Sequence, residues 1–133
     1  MTLYLQKKMR ERNILNALIH ELEENSSLME KAVNTFSKGI ETIKSYPFYI
    51  IVAYTEAVRA GLLFKIPENI RNALINLYQH IQAQNSLSTA RRFGLTAIGR
   101  KHYGTYSSLL KELSLRAKTI AKELKNLQKT ARF

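Results

Sequence analysis

The chain has no cysteine and no aspartate, and holds only two prolines and five glycines among 133 residues. Without cysteine there can be no disulfide, no thiolate metal site and no cysteine nucleophile. Every one of the ten acids is a glutamate. Histidine is sparse: His20, His80 and His102 stand too far apart to share one helical turn. Two metal-ligand histidines on a helix need a spacing of three or four. His20-Glu21-x-x-Glu24 lacks the second histidine of a zincin site, and no Gly-x-Ser-x-Gly elbow occurs. General acid-base and nucleophilic chemistry therefore has thin material here, and a non-enzymatic chain with no cofactor and no bound metal is expected.

A long hydrophobic run is missing as well. The densest apolar stretch, Tyr46 to Phe64, is interrupted by Glu56 and Arg59, so it reads as core, not as a membrane span. The opening residues M-T-L-Y-L-Q-K-K-M-R-E-R lack the apolar centre of a secretory signal. A cytoplasmic location is expected, or a virion if the chain is a viral structural protein. With an apolar fraction of 45% and a mean hydropathy of −0.24, the composition suits one folded domain over residues 1–133.

What the chain does have is positive charge. Lysine and arginine number 21 against 10 glutamates, a formal net charge of +11. Residues 67–133 carry 12 of those cations and only three of the acids. That imbalance favours a polyanionic partner.

Periodicity reads as helix throughout. Leu15, Leu18, Leu22, Met29, Ala32, Phe36, Ile40 and Ile43 step by threes and fours, apart from a gap at Asn25. Ser27-x-x-Glu30 is a capping-box pattern that could break this segment, or it could run unbroken from about 3 to 44. Ser45-Tyr46-Pro47 is expected to end it. A second helix is predicted over 47–60, with Phe48, Ile51, Val52 and Val58 inward and Gly61 at its C-terminus. Pro67 and Glu68 open a third, with a seam of Ile70, Leu74, Leu77 and Ile81 that turns polar at Gln84 and Ser88. The fourth is the most regular. Tyr106, Leu110, Leu113, Ala117, Ile120, Leu124, Leu127 and Ala131 alternate steps of four and three without exception. The fold class is all-α, a four-helix-type bundle with long first and last helices. An unbroken first helix would outrun its neighbours, which points to a homo-oligomer or a larger assembly.

The connector R-R-F-G-L-T-A-I-G-R-K-H-Y-G, residues 91–104, pairs cations with aromatics and holds three glycines, Gly94, Gly99 and Gly104. Gly94-x-x-x-x-Gly99-Arg100-Lys101 brushes the P-loop pattern but has arginine for lysine, lysine for the hydroxyl residue, no preceding strand and no aspartate to hold magnesium. Phe93 and Tyr103 can anchor the connector to the core or offer faces for base stacking. Beyond it, Lys111, Lys118, Lys122, Lys125, Lys129 and Arg132 form a second stripe on the fourth helix. Its centre lies roughly 130° around from the apolar seam. Glu112 and Glu123 fall on the remaining flank, Glu112 within i,i+4 reach of Arg116, so the acids look segregated from the lysines. Arg91, Arg92, Arg100 and Lys101 continue the charge at its entrance. These ten cations are the candidate contacts for nucleic-acid phosphates, DNA or RNA, with no code for reading bases. Lys7, Lys8, Arg10 and Arg12 make a smaller basic patch. The alternative is a helical interaction or scaffold protein, able to sit on an acidic membrane surface, with Leu115 exposed among the lysines.

A-L-I-H-E-L-E-E-N at 17–25, A-Y-T-E-A-V-R-A-G-L-L at 53–63 and I-P-E-N-I-R-N-A-L-I-N-L-Y-Q-H-I at 66–81 resemble a loose set of small helical proteins of archaea and bacteria. The resemblance implies a helical fold and brings no catalytic residue. In size, helical character and charge the chain is also similar to the coat proteins of archaeal filamentous viruses and to small helical subunits of CRISPR effector complexes. That likeness implies a nucleoprotein assembly by analogy alone.

Overall fold

The computed structural model describes residues 2–39, 45–92 (Arg92 by its backbone only) and 102–130. The first helix, α1 (Leu3–Ser37), opens on Thr2, whose hydroxyl oxygen accepts the Leu5 N–H at 3.2 Å. It runs unbroken through Asn25–Ser27, so the capping-box pattern there does not act. It stops earlier than the proline predicts. Gly39 takes a left-handed φ of 69°, and its N–H closes on the Phe36 carbonyl at 2.9 Å.

Among the described residues three further helices follow: α2 (Val52–Arg59), α3 (Glu68–Arg92) and α4 (Tyr103–Gln128), with a 3₁₀ turn at Leu62–Lys65 between α2 and α3. No strand occurs among the described residues. The architecture is all-α, and the long first and last helices pack antiparallel on each other. Phe36 meets Tyr106 at one end of that interface, Ser26 meets Ser114 in the middle, and Asn16 meets Gln128 at the other.

The α4 seam is buried as its spacing requires, from Tyr106 to Leu127; Ala131 lies outside the described residues. The α1 seam is buried from Leu15 to Phe36, while Ile40 and Ile43 lie outside. The aromatic end of the core is edge-packed. The Phe36 ring meets those of Tyr46, Tyr103 and Tyr106 at centroid distances of 5.5, 5.1 and 4.8 Å. Tyr103 thus anchors the start of α4, and Gly104 sits in its first turn as a helical residue, not in a flexible connector.

The region 47–60 departs from expectation. Residues 47–51 take no regular secondary structure, and α2 is only eight residues long. Phe48, Val52 and Val58 are exposed, and Ala57 is the buried residue of α2. Amide side chains on the two flanking helices hold these residues as a strap. Asn25 of α1 gives and takes a hydrogen bond with the Ile50 backbone at 2.8 and 2.7 Å. Asn85 of α3 does the same for Tyr49 at 3.1 and 2.7 Å, and the Ser88 hydroxyl donates to the Pro47 carbonyl at 2.9 Å. The Glu21 carboxylate then caps α2 from outside, accepting the Ala53 and Tyr54 N–H groups at 2.8 and 3.1 Å and the Tyr78 hydroxyl at 2.6 Å. The buried carboxylate thus meets three donors. The polar residues of α3 therefore extend its inward face instead of ending it: Gln84 and Ser88 are buried like Ile81.

Candidate nucleic-acid interface

The five described cations of the α4 stripe are Lys111, Lys118, Lys122, Lys125 and Lys129, and all are exposed. At 100° per residue they fall within an arc of about 60°, and they span about 27 Å along the axis. The helix that buries Tyr106 to Leu127 turns these side chains outward by its geometry alone. Lys129 itself is the C-cap residue, in line with the rest.

The acids are not segregated from this line, which corrects the sequence reading. Glu30 of α1 pairs with Lys118, and Glu23 pairs with Lys125 at 3.2 Å. The two glutamates are seven residues apart, and so are the two lysines. An antiparallel helix pair brings such positions opposite one another, as flanking charges do beside a coiled-coil seam. That shared spacing of seven was the available signal. Within α4 alone it is invisible, because the partner lies 88 residues or more away. The Lys118 hydrogen bond holds the Glu30 carboxyl below the usual carboxylate range, against a smaller opposing effect of desolvation. Both pairs remain about half exposed, so they are screened and weak.

Lys111, Lys122 and Lys129 have no ion-pair partner among the described residues. On the other flank, Arg116 binds Glu112 at 2.6 Å, as the i,i+4 spacing predicts, and also Asn76 of α3 at 3.1 Å. Leu115 is 64% exposed between these two flanks.

Arg91 leaves the stripe. Its guanidinium lies over the Tyr46 ring at 5.7 Å, and its Nε and Nη1 are buried without a hydrogen-bond partner. It acts as an inward cation–π contact at the end of α3 and does not offer those nitrogens to a phosphate. The side chain of Arg92, together with Phe93, Gly94, Gly99, Arg100, Lys101 and Arg132, lies outside the described residues.

Elsewhere, a groove of about 560 Å³ runs between α1 and the strap, lined by Ile14, Ala17, Ile50 and Ala53 together with His20 and Glu24. Its remaining acids are engaged: Glu21 caps α2, and Glu56 pairs with Arg10 at 3.2 Å. No group of three metal-ligating side chains gathers among the described residues. No described helix is long and apolar enough to cross a membrane. No family model, curated protein or solved structure matches the chain. The class is thus set by architecture: an all-helical bundle whose last helix carries a line of exposed lysines.

Proposed function

We propose that the chain is a non-enzymatic nucleic-acid-binding protein, contacting the phosphate backbone of DNA or RNA through α4 without sequence specificity, as a subunit of a larger nucleoprotein assembly. One observation carries the reading: Lys111, Lys122 and Lys129 are exposed, without an ion-pair partner among the described residues, and aligned within an arc of about 20°. Such a row can follow phosphates, while Lys118 and Lys125 add charge that their exposed glutamates only partly offset. The overall charge of +11 supports it by drawing polyanions towards the surface.

The test is retention of unrelated DNA and RNA oligonucleotides in mobility-shift assays at several salt concentrations. Three neutralised phosphates give a slope of log K against log salt of about −3. The variant Lys111→Glu/Lys122→Glu/Lys129→Glu should lose binding while keeping its helical signal. Lys118 and Lys125 are poorer targets, because reversing them sets glutamate against Glu30 and Glu23 and perturbs the helix pair as well. Undiminished binding by the triple variant rules the reading out.

A further inference from the structure

The first two turns of α1 stand clear of the bundle. The last turn of α4 meets α1 at Asn16, through the Gln128 amide. The elements after the strap meet it at Arg10 and Glu11, through Glu56 at 3.2 Å and Lys65 at 2.5 Å. Beyond those contacts, Leu3, Tyr4 and Leu5 are 85%, 64% and 49% exposed. Met9 is exposed a turn further along, and so is Phe64 on the adjoining 3₁₀ turn. Isolated exposed apolar residues are ordinary; a cluster at one end of a molecule marks a contact surface.

Geometry and charge select the occupant. Leu3, Tyr4 and Leu5 are consecutive, each turned about 100° from the last, so they cover roughly 200° of the helix surface. A partner helix packed alongside would bury one of them and leave the others in water. A fluid bilayer interface surrounds all three. The same end carries Lys7, Lys8, Arg10, Arg12, Arg59 and Lys65 against Glu11 and Glu56. A second copy presenting this end would meet like charge, whereas anionic headgroups are complementary. The Lys8 ammonium lies over the Tyr4 ring at 5.5 Å, an aromatic and a cation placed together as they are at membrane–water boundaries.

We propose that the α1 tip docks peripherally on a bilayer bearing anionic lipid, with Leu3, Tyr4 and Leu5 entering the headgroup–acyl boundary and Lys7 and Lys8 meeting headgroup phosphates. The surface is separate from the α4 lysines, so either proposal can fail alone.

Vesicle flotation with the full chain tests it. The wild type is expected to float with phosphatidylcholine vesicles containing phosphatidylglycerol, and not with phosphatidylcholine alone. Leu3→Asp/Leu5→Asp should weaken partitioning about tenfold or more. Acids in a first helical turn suit the helix dipole, so circular dichroism should report an intact fold. Lys7→Glu/Lys8→Glu should weaken binding about fivefold per residue, in vesicles with anionic lipid only. The variant Lys111→Glu/Lys122→Glu/Lys129→Glu should float as the wild type does. Failure of the wild type to float, flotation indifferent to Leu3 and Leu5, or loss only in the α4 variant overturns the proposal. So does light scattering without lipid that shows a wild-type dimer made monomeric by Leu3→Asp/Leu5→Asp, since the tip would then be a protein–protein contact.

Discussion

Asn25 is the residue on which the strap depends. It interrupts the apolar seam of α1, and the structure uses that interruption to pair both backbone groups of Ile50 with one amide. Truncation leaves a donor and an acceptor unpaired in a part-buried site. Asn25→Ala should therefore cost about 2–5 kcal/mol in urea unfolding, well above the cost of an exposed substitution. The tyrosines give a second residue-scale expectation. Burial pushes the Tyr49 and Tyr78 hydroxyls far above their usual range, with the Tyr78 bond to Glu21 adding to it, and pushes Tyr106 up to about 12. A group whose folded pKa is raised contributes stability below its unfolded value of about 10, and that contribution is lost as pH rises through the folded value. Thermal melting should therefore fall between about pH 10 and 12, in step with tyrosinate absorbance. On the acid side, Lys118→Ala should return the Glu30 carboxyl to the ordinary range in an NMR titration. Its depressed value in the wild type contributes stability at neutral pH that is lost as pH falls through that value.

The element that organises the molecule is the antiparallel pair α1–α4. At its centre Ser26 and Ser114 are buried, with hydroxyl oxygens 2.7 Å apart. Small residues there let the two helices approach. Each hydroxyl also donates to the backbone carbonyl of the facing serine, at 3.2 Å from Ser26 and 3.3 Å from Ser114, so removing one leaves the other a partner, while removing both leaves an apolar contact of similar shape. In a double-mutant cycle of denaturation energies, Ser26→Ala and Ser114→Ala should thus each cost about 0.5–1.5 kcal/mol, and the double variant less than the sum of the two. Ser26→Leu should be worse than either single change, because it forces the helices apart. The same pairing explains which elements were legible. In α4 every buried position but Ser114 and Ala121 follows from the steps of three and four, since a helix turns its faces by local geometry. In α2 the apolar residues Val52 and Val58 are exposed, because an eight-residue helix capped by Glu21 is held by its polar ends, not by its seam.

At the scale of the molecule, charge and fold are nearly independent. The basic excess of residues 67–133 is plain from composition. How much of it reaches solvent unpaired is a property of packing: Lys118 and Lys125 find acids on α1, Arg91 turns onto Tyr46, and of the described stripe lysines Lys111, Lys122 and Lys129 remain. Salt dependence measures this directly. The triple variant at 111, 122 and 129 should flatten the slope of nucleic-acid binding by about 3, whereas Glu23→Gln/Glu30→Gln, which frees two lysines, should steepen it by about 2.

Residue spacing is enough to say that the chain is helical, that its first and last helices are long, and which faces they bury. Those are consequences of backbone periodicity, which each segment carries within itself. Where the first helix ends, what fills the gap at Asn25, which lysines meet glutamates and which apolar side chains stay in water depend on residues tens of positions apart. Only the packed register of α1, the strap, α3 and α4 brings those groups within bonding distance, because a hydrogen bond or an ion pair is decided by proximity in space and not by neighbourhood along the chain.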